Sequence, residues 1–208
     1  MMFSRLSHQR RTLISGLFLL MLSLCITPAA AQFGSPGYQF LEAVRDRDGT
    51  KTTELLDQSG TIINTRDVTT GSTALLIVTE RRDPVWIRFL LSRGADANIA
   101  NREGVTPLLQ AAQLAFAEGA QALIAGGARV NASASNGETA LHVAVHRRDI
   151  AMVRLLIIAG ADPDQQDNIT GQSPRDYATR DARATAVLAA LNEQPTAAAN
   201  APRPAGPN

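Results

Sequence analysis

The stretch GETALHVAVHRRDIAMVRLLIIAGAD, residues 137–162, decides the fold of this chain. Thr139 can accept a hydrogen bond from a free backbone N–H at the start of a helix, and Asp149 offers the same cap to a second helix. Apolar residues follow each cap at helical spacing, and Gly160 can take the left-handed backbone that ends a helix. The stretch therefore predicts two short helices joined by a tight turn.

The same pattern recurs along the chain at a period of 33 residues, except that Gly171 and Ser173 follow their predecessors after 34 residues. The recurring columns are Gly71, Gly104, Gly137 and Gly171; Thr73, Thr106, Thr139 and Ser173; Gly94-Ala95, Gly127-Ala128 and Gly160-Ala161; and Asn98, Asn131 and Asp164. A fixed period of this length is the signature of a repeat architecture. Because one helix pair cannot bury its apolar face alone, the sequence predicts stacked units that share one continuous core.

Three segments carry a family resemblance: Thr106-Pro107-Leu108, Thr139-Ala140-Leu141-His142 and Gly94-Ala95-Asp96-Ala97-Asn98. They resemble the ankyrin repeat, and the resemblance covers roughly residues 38–192. It implies an all-α solenoid of about five stacked helix-turn-helix units with projecting β-turn or hairpin loops. We expect the units at about 38–67, 68–100, 101–133, 134–167 and 168–192, the first of them lacking the Thr-Pro start.

The chain departs from the family pattern between the paired helices, where the family commonly has glycine and this chain has Arg82, Ala115 and Arg148. If the backbone is left-handed there, each residue costs about 1 kcal/mol. The third unit also lacks an aspartate cap on its second helix and carries Gly119 inside it, which costs about 1 kcal/mol relative to alanine. We therefore expect the third unit to be the least stable.

The first residues have the organisation of a signal peptide. Arg5, Arg10 and Arg11 precede an apolar run over residues 13–26 and then several small residues, which predicts a signal peptide over 1–31 with cleavage after Ala31. The run is too short to span a membrane, so an uncleaved anchor is the weaker alternative. Export by the general or the twin-arginine route stays open. We expect a short linker over 32–37 and a disordered tail rich in Pro and Ala over 193–208.

Removal of the signal peptide changes the composition. Three of the 20 basic residues and none of the 19 acidic residues lie in it, which leaves 17 basic against 19 acidic residues, a formal charge of −2. The one cysteine, Cys25, is removed as well, so no disulfide and no thiolate metal site is expected. A slightly acidic chain lacks the clustered basic residues of a nucleic-acid-binding protein.

No group of residues predicts catalysis, a cofactor or a metal site. The resemblance implies that His142 makes a structural hydrogen bond between repeats, and we interpret His146, four residues on, as a chance neighbour with no obvious carboxylate partner. A turn holds three further acidic residues, Asp162, Asp164 and Asp167. They lack the glycine and terminal glutamate of a calcium loop, so we interpret them as turn residues.

Two further features have an alternative reading as binding sites. Trp86 and Phe89 could form an aromatic platform, but the helical spacing of Trp86 favours packing in the core. Two arginine pairs, Arg81-Arg82 and Arg147-Arg148, are expected to be solvated helix ends. The resemblance places the first member of each pair on the concave side, where partners usually dock.

The expected function is protein binding without catalysis, by a monomer exported to the periplasm or secreted. The resemblance implies contacts on the concave face and turn tips with an unknown, periplasmic protein partner. These contacts are Thr70, Ser72, Glu80, Arg81, Arg102, Val105, Gln113, Leu114, Ser135, Glu138, His146 and Arg147. A passive spacer in the cell envelope and an accessory subunit of an enzyme are the alternatives. No membrane insertion after signal cleavage and no nucleic acid is expected.

Overall fold

The computed structural model describes residues 34–193, which form five helix pairs. The pairs are α1 (Pro36–Arg45) with α2 (Gly49–Gln58), α3 (Ala74–Glu80) with α4 (Pro84–Ser92), α5 (Pro107–Gln113) with α6 (Ala117–Ala125), α7 (Ala140–His146) with α8 (Ile150–Ile158), and α9 (Pro174–Arg180) with α10 (Thr185–Leu191). Within 34–193 there is no β-strand beyond one isolated bridge between Ser133 and Thr139. The predicted all-α solenoid is confirmed. The predicted signal peptide and nearly all of the predicted tail lie outside the described residues.

Side-chain caps start most of the helices. The hydroxyl of Thr106 accepts from the amide of Leu109 at 3.3 Å, and Thr73 caps α3 in the same way. Asp149 accepts from the amide of Met152 at 3.0 Å at the start of α8. Each cap satisfies one of the free N–H groups of a first helical turn, as the sequence predicts.

The first unit differs from the prediction at its start. Helix α1 begins at Pro36, inside the expected linker, and the hydroxyl of Ser35 accepts from the amide of Tyr38 at 3.2 Å. The unit therefore lacks the Thr-Pro start, as expected, but begins with a Ser-Pro start that the sequence analysis assigned to the linker. The 33-residue columns miss Ser35 because the 3-10 helix Gly60–Asn64 lengthens the connection to the second unit.

The helices form two layers around one core. First helices pack on first helices from α1 to α9, and second helices pack on second helices from α4 to α10. The core uses small and medium side chains: Leu108 and Leu141 are each 1% exposed, and Ala111 and Ala144 are fully buried. Alanine at these positions lets neighbouring first helices approach closely, which explains how the chain builds a core with few aromatic residues.

The asparagine column connects each unit to the next. The Nδ2 of Asn98 donates to the carbonyl of Gly127 at 3.2 Å, and the Nδ2 of Asn131 donates to the carbonyl of Gly160 at 3.1 Å. Their side-chain oxygens accept from the amides of Arg129 and Asp162. Each amide side chain therefore satisfies a helix-terminal carbonyl of the following unit.

The turns between paired helices are left-handed at non-glycine residues. The φ angles of Arg82, Ala115 and Arg148 are 56°, 50° and 53°. The backbone is therefore left-handed at all three positions, which is the case in which the sequence predicts a cost of about 1 kcal/mol for each. Arg47 in the first unit has the same conformation, with a φ of 61°, although the sequence comparison did not single it out. Such a backbone is unfavourable for residues with a Cβ and persists only where the surrounding packing holds it.

The third unit replaces a polar cap with an aromatic ring. Helix α6 follows Phe116, which provides no side-chain cap, and the missing aspartate cap is confirmed. A Cβ on Gly119 would lie 2.1 Å from the Phe116 ring, and Phe116 is only 6% exposed. Gly119 therefore makes room for a buried ring. The expectation that alanine would be better there is wrong, because helix propensity is outweighed by this close contact.

We predict that Gly119→Ala lowers the free energy of unfolding by about 1–3 kcal/mol, because the added methyl group must displace the Phe116 ring. Urea denaturation followed by circular dichroism measures the change. Gln121→Ala, at an exposed position of the same helix, is the control and should change stability by less than about 0.5 kcal/mol. A Gly119→Ala protein as stable as the parent would contradict this packing argument.

Candidate binding surface

The polar turns between units stack on one another. The amide of Arg102 donates to the carbonyl of Thr70 at 3.1 Å, and the hydroxyl of Ser135 donates to the carbonyl of Glu103 at 3.0 Å. Gly104 permits this stacking, since its φ is 82° and a Cβ there would lie 2.8 Å from the amide nitrogen of Ser135. The turns therefore hold their outward side chains in a fixed row.

The twelve predicted contacts lie in these turns and at the carboxyl ends of α3, α5 and α7, and we call this surface the first-helix face. Its exposed members are Thr70, Glu80, Arg102, Gln113, Ser135, His146 and Arg147. Its half-buried members are Ser72, Arg81, Val105, Leu114 and Glu138. None of the twelve is buried, so each is accessible at least in part. Their role in binding remains a prediction.

Arg81 is a structural residue as well as a candidate contact. Its Nη1 donates to the carbonyl of Val44 at 2.7 Å, and its side chain is only 16% exposed. The guanidinium lies 3.6 Å from Asp83 and 5.4 Å from the ring centroid of Trp86. Arg81 therefore connects the first two units, and the expectation that it is a solvated helix end is wrong.

The second members of the arginine pairs also connect units. The Nη2 of Arg82 donates to the carbonyl of Ala115 at 3.3 Å, and the Nε of Arg148 donates to Asp181 at 2.7 Å. In both cases the acceptor lies 33 residues further along the chain. The repeat period thus carried a signal for these contacts. The expectation of simple solvation is wrong for both, although the two side chains stay largely exposed.

Three other residues of the first-helix face make no side-chain contacts that stabilise the described part of the fold. Glu80, Gln113 and Arg147 are exposed, and their side chains make no hydrogen bond or ion pair with any residue in 34–193. They stand at or next to the ends of α3, α5 and α7, so they lie one unit apart. These side chains are therefore available to a partner without the loss of an internal contact.

His142 makes the predicted hydrogen bond between repeats. It is fully buried, its Nδ1 accepts from the amide of Thr139 at 3.2 Å, and its Nε2 lies 3.2 Å from the carbonyl of Gln172 in the next unit. Since Nδ1 accepts, Nε2 carries the proton and donates. Burial lowers the pKa of His142, against the opposing effect of the Gln172 carbonyl and of Asp167 and Glu138.

His146 has neighbours that the sequence did not predict. Its Nδ1 lies 3.6 Å from a carboxylate oxygen of Glu138, and its ring packs edge-on against Tyr177 with centroids 4.2 Å apart. The expectation of no carboxylate partner is therefore wrong. Residues 34–193 contain no group of three or more possible metal ligands from His, Cys, Asp and Glu. The pair of His146 and Tyr177 is a surface contact between the fourth and fifth units.

The acidic residues of the last turn are turn residues, as predicted. Asp162 accepts from the amide of Asp164 at 2.9 Å, and Asp167 accepts from the amide of Ile169 at 2.8 Å. Hydrogen bonds from the Thr170 hydroxyl and amide hold the pKa of Asp167 well below its usual range. The carboxylates of Asp162 and Asp167 are therefore occupied by the backbone that they organise, whereas that of Asp164 accepts from the Nε of Arg175 at 2.7 Å.

Trp86 and Phe89 lie at the edge of the core. Their rings meet edge to face with centroids 5.7 Å apart, and both side chains are half-buried. They contact buried core residues, as the helical spacing predicts, but they also line an open groove with Arg47. The core interpretation is correct for one side of each ring and incomplete for the other.

A stack of helix pairs with a row of ordered turns defines a repeat solenoid that offers an extended surface. A family model described as ankyrin repeats (3 copies) matches residues 40–134, 87–167 and 115–198, and the chain belongs to the ankyrin-repeat family. Ankyrin repeats are generally protein–protein interaction modules and are typically non-catalytic. In residues 34–193 no helix combines the length and apolar character needed to cross a membrane.

Several proteins of known sequence are similar to parts of the chain. An ankyrin repeat-containing protein of Treponema pallidum is 36% identical over 104 residues, which cover 50% of this chain and 34% of that protein. SH3 and multiple ankyrin repeat domains protein 2 of Homo sapiens is 42% identical over 81 residues, 38% of this chain and 4% of that protein. The B-cell lymphoma 3 protein homolog of Mus musculus is 36% identical over 93 residues, 44% of this chain and 21% of that protein. The matched segments thus span about a third or less of each relative.

We predict that Arg81→Ala lowers the free energy of unfolding by about 1–3 kcal/mol, because the carbonyl of Val44 loses a charged donor. Arg147→Ala is the matched control from the equivalent position two units on, where the side chain is exposed and unbonded. It should change stability by less than about 0.5 kcal/mol. Chemical denaturation measures both, and equal effects of the two substitutions would contradict the structural role of Arg81.

We also predict that the protein becomes less stable as the pH falls below about 6.5, the ordinary pKa of histidine. The folded protein holds His142 neutral with a lowered pKa, so the unfolded chain binds the proton first. The contribution of neutral His142 to the free energy of unfolding is complete above the pKa that histidine has in the unfolded chain. It is lost as the pH falls toward the lower pKa of His142 in the folded protein. Urea midpoints measured between about pH 7.5 and pH 5 test this. His146→Gln should retain the dependence and His142→Gln should reduce it; the reverse result would refute the assignment.

Proposed function

We propose that this chain is a non-catalytic protein-binding module exported to the periplasm, where it binds a partner protein through the first-helix face. One observation carries the proposal: Glu80, Gln113 and Arg147 are exposed and unbonded at successive units of a surface whose backbone is fixed by hydrogen bonds. Family membership supports protein binding in general. The basic and apolar segments within residues 1–31 support export.

Rigid presentation favours specific binding. Because the turns are stacked and the first helices are packed on one another, little backbone conformational entropy is lost when a partner docks. The chemistry also changes from unit to unit: the column Glu80, Gln113 and His146 carries three different side chains at 33-residue spacing. A partner that spans these units can therefore be selected by the order of charge and polarity along the face.

The experiment is capture of the partner from periplasmic extract of the native host, with the protein itself recovered from the periplasm as bait. We predict that the triple substitution of Glu80, Gln113 and Arg147 by alanine weakens capture of a specific protein at least about tenfold, which corresponds to about 1.4 kcal/mol. The triple variant should stay within about 1.5 kcal/mol of parental stability, since all three positions are exposed and unbonded.

A matched control replaces three exposed residues of the second helices, Gln121, Ile158 and Thr185, by alanine. This control should capture the partner as the parent does. Undiminished capture by the triple variant of the first-helix face would reject that face as the binding site. Recovery of the protein from the cytoplasm alone would contradict the proposed export.

A further inference from the structure

The layer of second helices has a groove near the first unit. Helix α4 packs on α6, and α8 packs on α10, but α2 and α4 leave a groove of about 310 Å³ between them. Its lining consists of Arg47, Gly49, Thr53, Val85, Trp86 and Phe89, and we call it the Trp86 groove. None of the twelve residues of the first-helix face lines the groove, although Arg81 of that face lies beside the Trp86 ring.

The α4 side of the groove is apolar and accessible. Val85 is 65% exposed, and the half-buried rings of Trp86 and Phe89 stand edge to face beside it. A tryptophan, a phenylalanine and an exposed valine grouped on one helix form the kind of apolar surface that marks interaction sites on soluble proteins. The volume suits one large apolar side chain together with part of its backbone.

Arg47 supplies a positive charge at the groove. Its backbone is left-handed, and no carboxylate in residues 34–193 lies within 4.0 Å of its guanidinium nitrogens. Arg82 and Arg148 have the same backbone conformation, but their side chains bind acceptors of the next unit. Arg47 makes no such contact. Because Ala115 has the same backbone conformation, the left-handed turn does not depend on an arginine, and the Arg47 guanidinium has no ion-pair partner in residues 34–193.

Two further arginines border the same rings. The guanidinium of Arg81 lies 5.4 Å from the Trp86 centroid, and its Nη2 lies 3.6 Å from a carboxylate oxygen of Asp83. The guanidinium of Arg93 lies 5.9 Å from the Phe89 centroid and pairs with Asp57. No carboxylate lines the groove, and the adjacent Asp48 caps α2 through the amide of Lys51. Arg81 and Arg93 are thus each paired with a carboxylate, Asp83 and Asp57, which leaves Arg47 as a cation at the groove that is unpaired within residues 34–193.

From these contacts we infer that the Trp86 groove is a second docking site, which takes a segment of a partner protein carrying an apolar side chain next to a carboxylate. The apolar side chain packs on Val85 and the Trp86 ring, and the carboxylate pairs with Arg47. Tryptophan and arginine are the residues that contribute most often to the energetic centre of protein interfaces. The inference does not rest on the proposed function, because it involves neither Glu80, Gln113 nor Arg147.

The chain has a built-in reporter for this test, since Trp86 is its one tryptophan. Acetylated and amidated pentapeptides of sequence ELDLE, KLKLK and EADAE are titrated into the purified full-length protein while tryptophan emission is recorded. ELDLE should produce a saturable change with a dissociation constant of about 1 mM or lower, and high salt should weaken it. KLKLK, which lacks the carboxylates, and EADAE, which lacks the large apolar groups, should bind at least about tenfold more weakly.

Arg47→Gly is the decisive variant, because glycine removes the guanidinium and relieves the left-handed backbone, so folding is not endangered. It should weaken ELDLE at least about tenfold. Arg82→Gly makes the same change one unit away and should leave ELDLE binding unaltered. Equal binding of the three peptides, no saturable signal up to about 10 mM, or full binding by Arg47→Gly would each overturn the inference. Loss of partner capture by the first-helix face has no bearing on these outcomes.

Discussion

Every unit of this protein depends on the burial of its apolar side chains against the next unit. Leu75, Leu108 and Leu141 occupy equivalent positions and are each only 1% exposed, because a neighbouring helix pair covers them. Each helix is seven to ten residues long, too short to be stable alone in water. The caps, the asparagine contacts and the stacked turns all follow from this requirement, since they set the position at which one pair meets the next.

The sequence contained most of the fold because its determinants are local and periodic. Capping threonines, aspartates and terminal glycines act within a few residues of their own position, and the period of 33 repeats them visibly. Ser35 escaped detection because the insertion of Gly60–Asn64 breaks that period. Gly119 was misjudged because its effect arises from the Phe116 ring, a packing contact that helix propensity does not describe.

The candidate surface was less predictable than the fold for a physical reason. Residue type and spacing place Arg81 and Arg147 at equivalent positions, yet Arg81 donates to the carbonyl of Val44 and Arg147 is unbonded. Whether a long side chain folds back on a neighbouring unit depends on the acceptors that the unit offers, and these are not visible in the repeat pattern. The residue pattern offered Trp86 and Phe89 only as an alternative aromatic platform, because the rest of the groove results from the spacing of α2 and α4.

The arginine contacts between neighbouring interhelical turns are missing at two boundaries, and at the first of them, where Arg47 makes no hydrogen bond or ion pair with the second unit, Arg81 donates to the carbonyl of Val44 instead. Arg82 reaches the third unit and Arg148 reaches the fifth, but the equivalent residue between them is Ala115, which has no side chain long enough to reach the fourth unit. The arginine hydrogen bonds between interhelical turns are therefore unevenly distributed along the array. Under a stretching force, such as that exerted by a translocating or degrading machine, the boundary between the third and fourth units must be held by the packed first helices and by Asn131 and Ser135, without an arginine contact between the turns.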